Sequence, residues 1–225
     1  MIANEGISKR VQAHHRYQTP EGVFVPGVTT VLGLRAKPQL IAWANRLGLQ
    51  GIDSSKYRDE LAEVGSLAHA MILADLKGQK VDTGDYTPNQ LDLAENCFLK
   101  YLEWAKGKVI KPLLVEEAIV CGEHRFGGTP DFYGEVNGER VLVDYKTGGI
   151  YPEAYVQASA YAHLLAADRA PWLEAPAKII ILSIPRTEDE RFLEETHSDY
   201  ERGWEIFYHL LQIYWLERNG KPLTR

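Results

Sequence analysis

The sequence has few cysteines. Only Cys97 and Cys121 occur among its 225 residues. Two thiols are too few for a disulfide framework, a four-cysteine zinc site or an iron–sulfur cluster. We therefore expect both cysteines to be buried thiols of a protein from a reducing compartment.

Long apolar segments are absent as well. No run approaches the roughly 18 apolar residues of a membrane-spanning helix. The N-terminus, MIANEGISKR, lacks the apolar centre of a signal peptide. The chain also has no glycine-rich phosphate loop of the nucleotide-binding kinds, which argues against ATP or NAD as a cofactor. These absences predict a cytoplasmic protein with no membrane partner.

An excess of positive charge, which a nucleic-acid partner would favour, is missing from the chain as a whole. The formal net charge is −6. The charge is unevenly distributed, however. Residues 1–58 hold eight lysines and arginines against three acids, a balance of +5 that leaves −11 for the remainder. Such a segment is either an ordinary solvated face or a surface that lies against a phosphate backbone, and charge alone leaves both open.

The apolar pattern predicts a mixed α/β protein. Helical spacing and capping signals indicate helices at 37–48, at 55–78, from 87 to beyond 102, at 153–167 and at 199–218. Alternating or short apolar runs indicate strands at 24–34, 112–121, 125–136, 139–147, 178–184 and 191–196. This order favours a central sheet flanked by helices. Because no repeat or linker interrupts the chain, a single domain over residues 1–225 is the simplest organisation.

The segment GGTPDFYGEVNGERVLVDYKTGG, residues 127–149, contains a hairpin signal. Asn-Gly between two alternating runs is the strongest short-range indication of a two-residue turn. With Asn137 and Gly138 as the turn, Asp131 falls directly opposite Asp144. Lys146 points to the same face as Asp144, because side chains alternate along a strand. Two opposed carboxylates repel each other, so their placement requires an explanation.

A divalent cation between the two carboxylates would make the pair favourable. Oxygen ligands of this kind suit Mg²⁺ or Mn²⁺. Such an ion polarises a phosphoryl oxygen and lowers the pKa of a bound water. A lysine on the same face can orient or deprotonate that water, or neutralise charge in the transition state. This set therefore favours phosphodiester hydrolysis. The alternative is that both acids flank the turn in solvent and pair with Lys146 on the surface.

Four short motifs then carry a family resemblance. Residues 128–131 (GTPD), 144–147 (DYKT) and 157–161 (QASAY) match G-x-x-D, D-Y-K-T and Q-x-x-x-Y in order, and residues 65–69 (GSLAH) match an upstream helical G-x-x-x-H. Together they resemble the PD-(D/E)xK nuclease superfamily, in its RecB-like and phage-type exonuclease branch. The stretch PGVTTVL from Pro26 is similar to a P-S-V-T-T-I-L segment of phage-type and mitochondrial genome-maintenance exonucleases. Motif-level similarity spans residues 26–161.

The resemblance implies roles for the hairpin residues. Asp131 and Asp144 would be the principal metal ligands, with the backbone carbonyl of Tyr145 as a further ligand. Lys146 would be the catalytic lysine. His69 would complete the metal shell from its helix; alone, a helical histidine is more often a packed or surface residue. The family implies Mg²⁺ or Mn²⁺, with two ions in the site.

A glutamate from the preceding strand usually joins such a site. The segment VEEAIV offers Glu116 and Glu117, of which alternation allows only one on the site face. The family pattern E-x-x-V, matched by Glu116 with Ile119, favours Glu116 slightly.

Four further residues are candidates for DNA binding. Gln157 and Tyr161 are four residues apart and share a helix face; in the family this pair borders the active site. The alternative is a core tyrosine beside a solvated glutamine. Thr29 and Thr30 can offer hydroxyls to phosphate, or they are ordinary strand threonines.

The resemblance implies a restriction-endonuclease-like α/β core, a central mixed β-sheet flanked by helices, with a helical N-terminal elaboration. The elaboration covers about 1–110, the catalytic core about 111–200, and a C-terminal helix 200–225.

The implied activity is a metal-dependent exonuclease acting in the 5′ to 3′ direction on ends of single- or double-stranded DNA, in phage-type recombination, replication or repair. The alternatives are a structure- or site-specific endonuclease and a non-catalytic DNA-binding scaffold. Expected partners are DNA, a single-strand annealing or binding protein, and further copies of the chain.

Overall fold

A computed structural model describes residues 16–167 and 174–219. Lys9 and Arg10 of the basic N-terminal segment lie outside the described residues. The chain divides into two compact units. Among the described residues, the helical unit comprises 35–106 and 184–192, and the sheet unit comprises 16–34, 107–167, 174–183 and 193–219. The prediction of a single domain, with internal boundaries near 110 and 200, stays a prediction.

The described residues form nine strands and six helices. The strands are β1 (Tyr17–Gln18), β2 (Phe24–Val25), β3 (Ile110–Val115), β4 (Ile119–Cys121), β5 (Phe126–Gly128), β6 (Phe132–Val136), β7 (Glu139–Thr147), β8 (Lys178–Ile184) and β9 (Leu193–His197). The helices are α1 (Val28–Leu32), α2 (Pro38–Leu49), α3 (Ser54–Lys77), α4 (Pro88–Ala105), α5 (Pro152–Ala167) and α6 (Glu201–Asn219). The five predicted helices correspond to α2–α6 and are confirmed to within a few residues at each end.

Local capping chemistry explains the long helices of the helical unit. The Asp53 side chain accepts hydrogen bonds from the first-turn amides of α3, and Gly78 ends that helix with a left-handed φ of 63°. The helix α4 begins with a capping box, in which Thr87 and Gln90 each accept a hydrogen bond from the other's backbone amide. These signals are local, which is why the sequence predicts both helices well.

The sheet unit is built on a five-stranded sheet with the order β3-β6-β7-β8-β9. The pairs β3–β6, β6–β7 and β8–β9 are antiparallel, and α5 connects the neighbours β7 and β8. The sheet is mixed and flanked by helices, as expected of a restriction-endonuclease-like fold. The strand β9 lies at one edge of this sheet and corresponds to the strand predicted at 191–196.

The central hairpin has the predicted register. Phe132 pairs with Val143 and Val136 with Glu139. The turn residues Asn137 and Gly138 both have positive φ, 53° and 84°, as a type I′ turn requires.

Two predicted strands are wrong in their extent. The strand expected at 112–121 is divided into β3 and β4, and the one at 125–136 into β5 and β6. Glu116 has a left-handed φ of 53°, which interrupts the extended backbone just after β3. The strands β4 and β5 then pair with each other as a separate two-stranded sheet. The two acids at 116–117 and the segment GTPD at 128–131 interrupt the apolar pattern at these breaks, so both predicted strands were extended too far.

The β-rich prediction for 24–34 is also wrong. Only Phe24 and Val25 are extended, and α1 follows. Val28, Val31 and Leu32 of this short helix are buried in the core of the sheet unit. Their spacing presents one apolar face to the core, and this burial outweighs the strand preference of Val-Thr-Thr-Val.

The core of the sheet unit lies between the sheet and helices α1, α5 and α6. Its largest fully buried side chains include Tyr133, Leu164 and Phe207. On α6, Phe207 and Leu211 are buried, whereas Trp204 and Trp215 pack against the same core while partly exposed. Both cysteines are buried free thiols. In the described ranges, no helix combines the length and the apolar character needed to cross a membrane.

Candidate functional site

Asp144 and Lys146 lie two residues apart on β7 and share one face of the sheet. The Asp144 side chain is 1% exposed and that of Lys146 is 27% exposed. The Lys146 Nζ is 2.7 Å from Asp144 Oδ2. A buried carboxylate needs a charged or hydrogen-bonding neighbour to offset its desolvation, and Lys146 provides one from the same strand.

Asp131 lies immediately before β6, next to the pair formed by Phe132 and Val143. Its Oδ2 accepts a hydrogen bond of 2.8 Å from the backbone N–H of Tyr145. The Asp131 side chain therefore reaches over β7 beside Asp144. The sequence also allowed both acids to flank the turn in solvent. The burial of Asp144 and the hydrogen bond of Asp131 do not fit that alternative.

The electrostatics of Lys146 reflect both acids. Burial works to lower the pKa of the Lys146 ammonium, but the charges of Asp144 and Asp131 and the hydrogen bond to Asp144 act in the opposite direction. The resulting pKa lies above the ordinary lysine value. The two carboxylates and the ammonium thus form one coupled group of charges.

Gln157 and Tyr161 extend this group onto α5. The Lys146 ammonium donates to Gln157 Oε1 at 3.2 Å, and Gln157 Nε2 donates to the Tyr161 hydroxyl at 3.1 Å. Because the Lys146 ammonium can only donate hydrogen bonds, the oxygen of the Gln157 amide must face it and the NH₂ group must face Tyr161. Burial raises the pKa of Tyr161 above its ordinary range, so the phenol stays neutral. Tyr161 is buried and Gln157 half-buried.

Glu116 lies beside Asp131 through the backbone. Its N–H donates to the carbonyl of Asp131 at 3.1 Å. Glu116 is half-buried, while Glu117 is exposed. This placement supports Glu116 over Glu117 as the additional acid, and its role in the site stays a prediction.

Three further predicted site residues are described by their place in the fold. His69 is half-buried on α3 within the helical unit. Thr29 and Thr30 are exposed on α1 of the sheet unit. Their roles in metal and DNA binding stay predictions, although neither threonine is the strand residue that the alternative supposed.

The donor set fits a hard divalent cation. Across residues 16–167 and 174–219, no three His, Cys, Asp or Glu side chains are grouped closely enough to hold a metal by themselves. Mg²⁺ typically uses only one or two carboxylates and completes its shell with water and substrate phosphate. Asp131 and Asp144, with the carbonyl of Tyr145, would supply such a set, and both carboxylates act on the same ammonium.

One contact beside the site escaped the sequence analysis, because Tyr17 lies outside every motif. The hydroxyl groups of Tyr17 and Thr129 are hydrogen-bonded at 2.9 Å, and the Tyr17 ring lies against Gly127. The glycine pair at 127–128 was the only signal in the sequence that something packs closely there.

The decisive comparison is with protein-family models. The model of the PD-(D/E)XK nuclease superfamily matches residues 42–212, which include Asp131, Asp144 and Lys146. The chain belongs to the PD-(D/E)XK nuclease superfamily. The predicted superfamily membership is thereby confirmed, and nucleases of this superfamily generally use divalent metal ions.

Solved structures give a weaker likeness. The chain is similar to an alkaline exonuclease, LHK-Exo, from Laribacter hongkongensis, with 16% identity and a TM-score of 0.32. The match covers 71% of this chain and 85% of that one. The structure of LHK-Exo in complex with dAMP matches with 15% identity, the same TM-score of 0.32 and the same coverage of 71% and 85%. No curated protein matches the chain.

Proposed function

We propose that the protein is a metal-dependent DNA exonuclease that hydrolyses phosphodiester bonds from a DNA end, in the 5′ to 3′ direction. The observation that carries this proposal is the coupled group of Asp131, Asp144 and Lys146 on the hairpin of a chain from a nuclease superfamily. All three members of the reactive set are present, which argues against a non-catalytic scaffold.

Each residue of the group has a distinct task. Asp131 and Asp144, together with the Tyr145 carbonyl, would hold two Mg²⁺ or Mn²⁺ ions. A bound ion of this kind polarises a phosphoryl oxygen and lowers the pKa of a water ligand. The Lys146 ammonium, beside both carboxylates, is placed to neutralise charge that develops on the phosphoryl oxygens. Glu116 is proposed as the additional acid and His69 as a further ligand.

Gln157 and Tyr161 support Lys146. The amide oxygen of Gln157 holds the ammonium, and the amide is itself held by the buried phenol. This chain of hydrogen bonds limits the rotamers of a flexible lysine side chain, so that less conformational entropy is lost when substrate binds. A DNA contact from Gln157, or from Thr29 and Thr30 on α1, is a further part of the proposal.

The finer choices rest on the motif resemblance. The PGVTTVL segment resembles a segment of phage-type exonucleases. This resemblance is the ground for proposing that cleavage starts at a DNA end, runs 5′ to 3′ and serves recombination, replication or repair. A homo-oligomer and an annealing or binding protein as partner are expected on the same ground. Mass measurement in solution, alone and with DNA, tests the oligomer.

The test of the proposal is digestion of end-labelled linear DNA, single- and double-stranded, beside a covalently closed circle. Reactions contain Mg²⁺, Mn²⁺ or EDTA. We expect metal-dependent shortening of linear DNA only, with the 5′ label released first. Lys146→Ala should lower the rate by at least about 100-fold, because electrostatic stabilisation of the transition state contributes factors of this size.

Lys178→Ala is the matched control. Lys178 is 28% exposed and pairs with Glu139, so it resembles Lys146 in exposure and charge pairing. It should retain wild-type activity. Cleavage of the circle would replace the exonuclease with an endonuclease. Metal-independent DNA binding without any cleavage would instead support the scaffold and overturn the proposal.

A further inference from the structure

Tyr17 is outside every motif of the sequence and yet packs into the segment that leads to Asp131. It belongs to β1 and pairs with Val25 of β2. Its ring lies between two glycines: a Cβ on Gly27 would come within 2.8 Å of Tyr17 Cε2, and a Cβ on Gly127 would overlap the ring. Both positions therefore admit only glycine while Tyr17 stays in place.

The same segment is held from its other side. Gly127 and Gly128 are consecutive residues of β5, so their Cα hydrogens face opposite sides of the strand. A Cβ on Gly128 would be 2.5 Å from Cε1 of Tyr161. The backbone N–H of Gly127 also donates to the carbonyl of Pro26 at 2.9 Å. The two tyrosine rings thus confine the glycine pair between them.

The Tyr17 hydroxyl continues this restraint toward the carboxylate. It is hydrogen-bonded to Thr129 Oγ1 at 2.9 Å. Only Pro130, which is buried, separates Thr129 from Asp131. The proline ring fixes its own φ and restricts the backbone of the residue before it. A displacement of Thr129 is therefore transmitted to Asp131 instead of being absorbed by the intervening residue.

Electrostatics place Tyr17 close to the site. The pKa of Tyr161 is raised first by burial, and Asp144, Asp131 and Tyr17 also act on it. The ring that borders both carboxylates is thus within range of Tyr17 as well.

We propose that Tyr17 is a positioning residue for Asp131: its bond to Thr129 and its packing on Gly127 fix the approach of Pro130 and Asp131 to β7. This inference rests on the proposed metal-dependent nuclease reaction. It extends the site to β1, in a part of the chain that no motif covers.

The experiment compares Tyr17→Phe, Thr129→Val and the double variant. Each single change removes one partner of the hydrogen bond and preserves the side-chain shape. Tyr200→Phe is the matched control, because the Tyr200 hydroxyl makes a comparable bond of 2.8 Å to the carbonyl of Pro176. Four quantities are measured: the Kd of Mn²⁺ in a titration without DNA, kcat and KM for cleavage with Mn²⁺, and Tm.

We expect Tyr17→Phe to weaken Mn²⁺ binding and to lower kcat, each about fivefold, since one hydrogen bond contributes about 1 kcal/mol. KM for DNA should not change. The double variant should be no worse than either single variant, because both remove the same interaction. Tyr200→Phe should leave Kd and kcat unchanged while lowering Tm by a similar amount.

Two results would overturn the inference. One is a Tyr17→Phe protein with wild-type Mn²⁺ affinity and kcat. The other is a loss that Tyr200→Phe reproduces, which would show a merely structural effect. If the wild type cleaves no nucleic acid, the proposed function fails and the Mn²⁺ titration alone decides the positioning role. If the wild type does not bind Mn²⁺ at all, both proposals fail.

Discussion

At Gly128, as at Gly127, the packing beside the site leaves no room for a side chain. An added Cβ would lie 2.5 Å from Tyr161 Cε1 and 3.2 Å from Leu164 Cδ2, and both neighbours are buried. We expect Gly128→Ala to lower the free energy of unfolding by about 1–3 kcal/mol through overpacking. Urea denaturation measures this loss.

Gly122→Ala provides the comparison, because a Cβ at Gly122 meets nothing within 4 Å. Its midpoint in urea should stay close to that of the wild type. Equal stability of the two variants would mean that Tyr161 can move aside without cost.

His163 makes stability depend on pH. It stacks on Trp204 with the ring centroids 3.4 Å apart. Burial, followed by the nearby His124, lowers the pKa of His163 from 6.5 to about 4, against a small opposing effect of Glu123. As the pH falls, His163 therefore becomes protonated at a higher pH in the unfolded chain than in the folded protein. The stability that the neutral ring contributes is fully present above about pH 6.5 and is lost as the pH falls to about 4.

We expect His163→Phe to flatten the loss of unfolding free energy between pH 6.5 and pH 4. His209→Gln serves as the control, because His209 is exposed on α6 and should leave the slope intact. An unchanged slope in His163→Phe would contradict the prediction. Measurements at each pH use chemical denaturation followed by circular dichroism.

Among the elements, α4 depends on its first turn. Thr87 Oγ1 accepts from the backbone N–H of Gln90 at 3.3 Å, and Gln90 Oε1 accepts from the Thr87 N–H at 2.9 Å. We expect Thr87→Ala to lower the unfolding free energy by about 1 kcal/mol, the usual value of an N-cap. Thr87→Ser should restore the stability, since serine caps equally well. A Thr87→Ala protein as stable as wild type would show that the cap is redundant.

The hairpin β6–β7 shows how an element can place chemistry. Its type I′ turn sets the register, and the register brings Asp131 and Asp144 together at the far end of the two strands. A shift of one residue would turn every side chain of one strand to the opposite face. The turn therefore determines the position of the acids, although it carries no catalytic group itself.

For the molecule as a whole, the uneven charge makes a prediction about DNA binding. Lys37 and Arg46 are exposed on or beside α2, in the basic first part of the chain. If this part lies against phosphates, binding releases counterions and weakens with salt. We expect the Lys37→Gln, Arg46→Gln double variant to bind DNA more weakly in EDTA, with a plot of log K against log salt shallower by about 1.8 units.

The Lys77→Gln, Lys80→Gln double variant carries the same change in net charge on exposed residues of the same unit. Its salt dependence should match that of the wild type. Fluorescence anisotropy over a salt series distinguishes the two variants. Identical behaviour would show that the basic segment is only a solvated face.

The sequence by itself determined the features that depend on neighbouring residues. Asn137-Gly138 specified the turn, and alternation then placed Asp131, Asp144 and Lys146 on one face. The caps at Asp53, Gly78 and Thr87 specified helix ends for the same reason: the interacting groups are a few residues apart, so their spacing along the chain is also their spacing in space.

Only the tertiary structure decided the features that depend on distant residues. Val28, Val31 and Leu32 form a helix because they pack into a core built by later segments. The left-handed backbone of Glu116 ends β3 where the chain leaves the sheet. Tyr17 meets Thr129 across 112 residues of sequence. Such contacts arise only when the whole chain has folded, because the free energy of burial belongs to the packed arrangement and to no single segment.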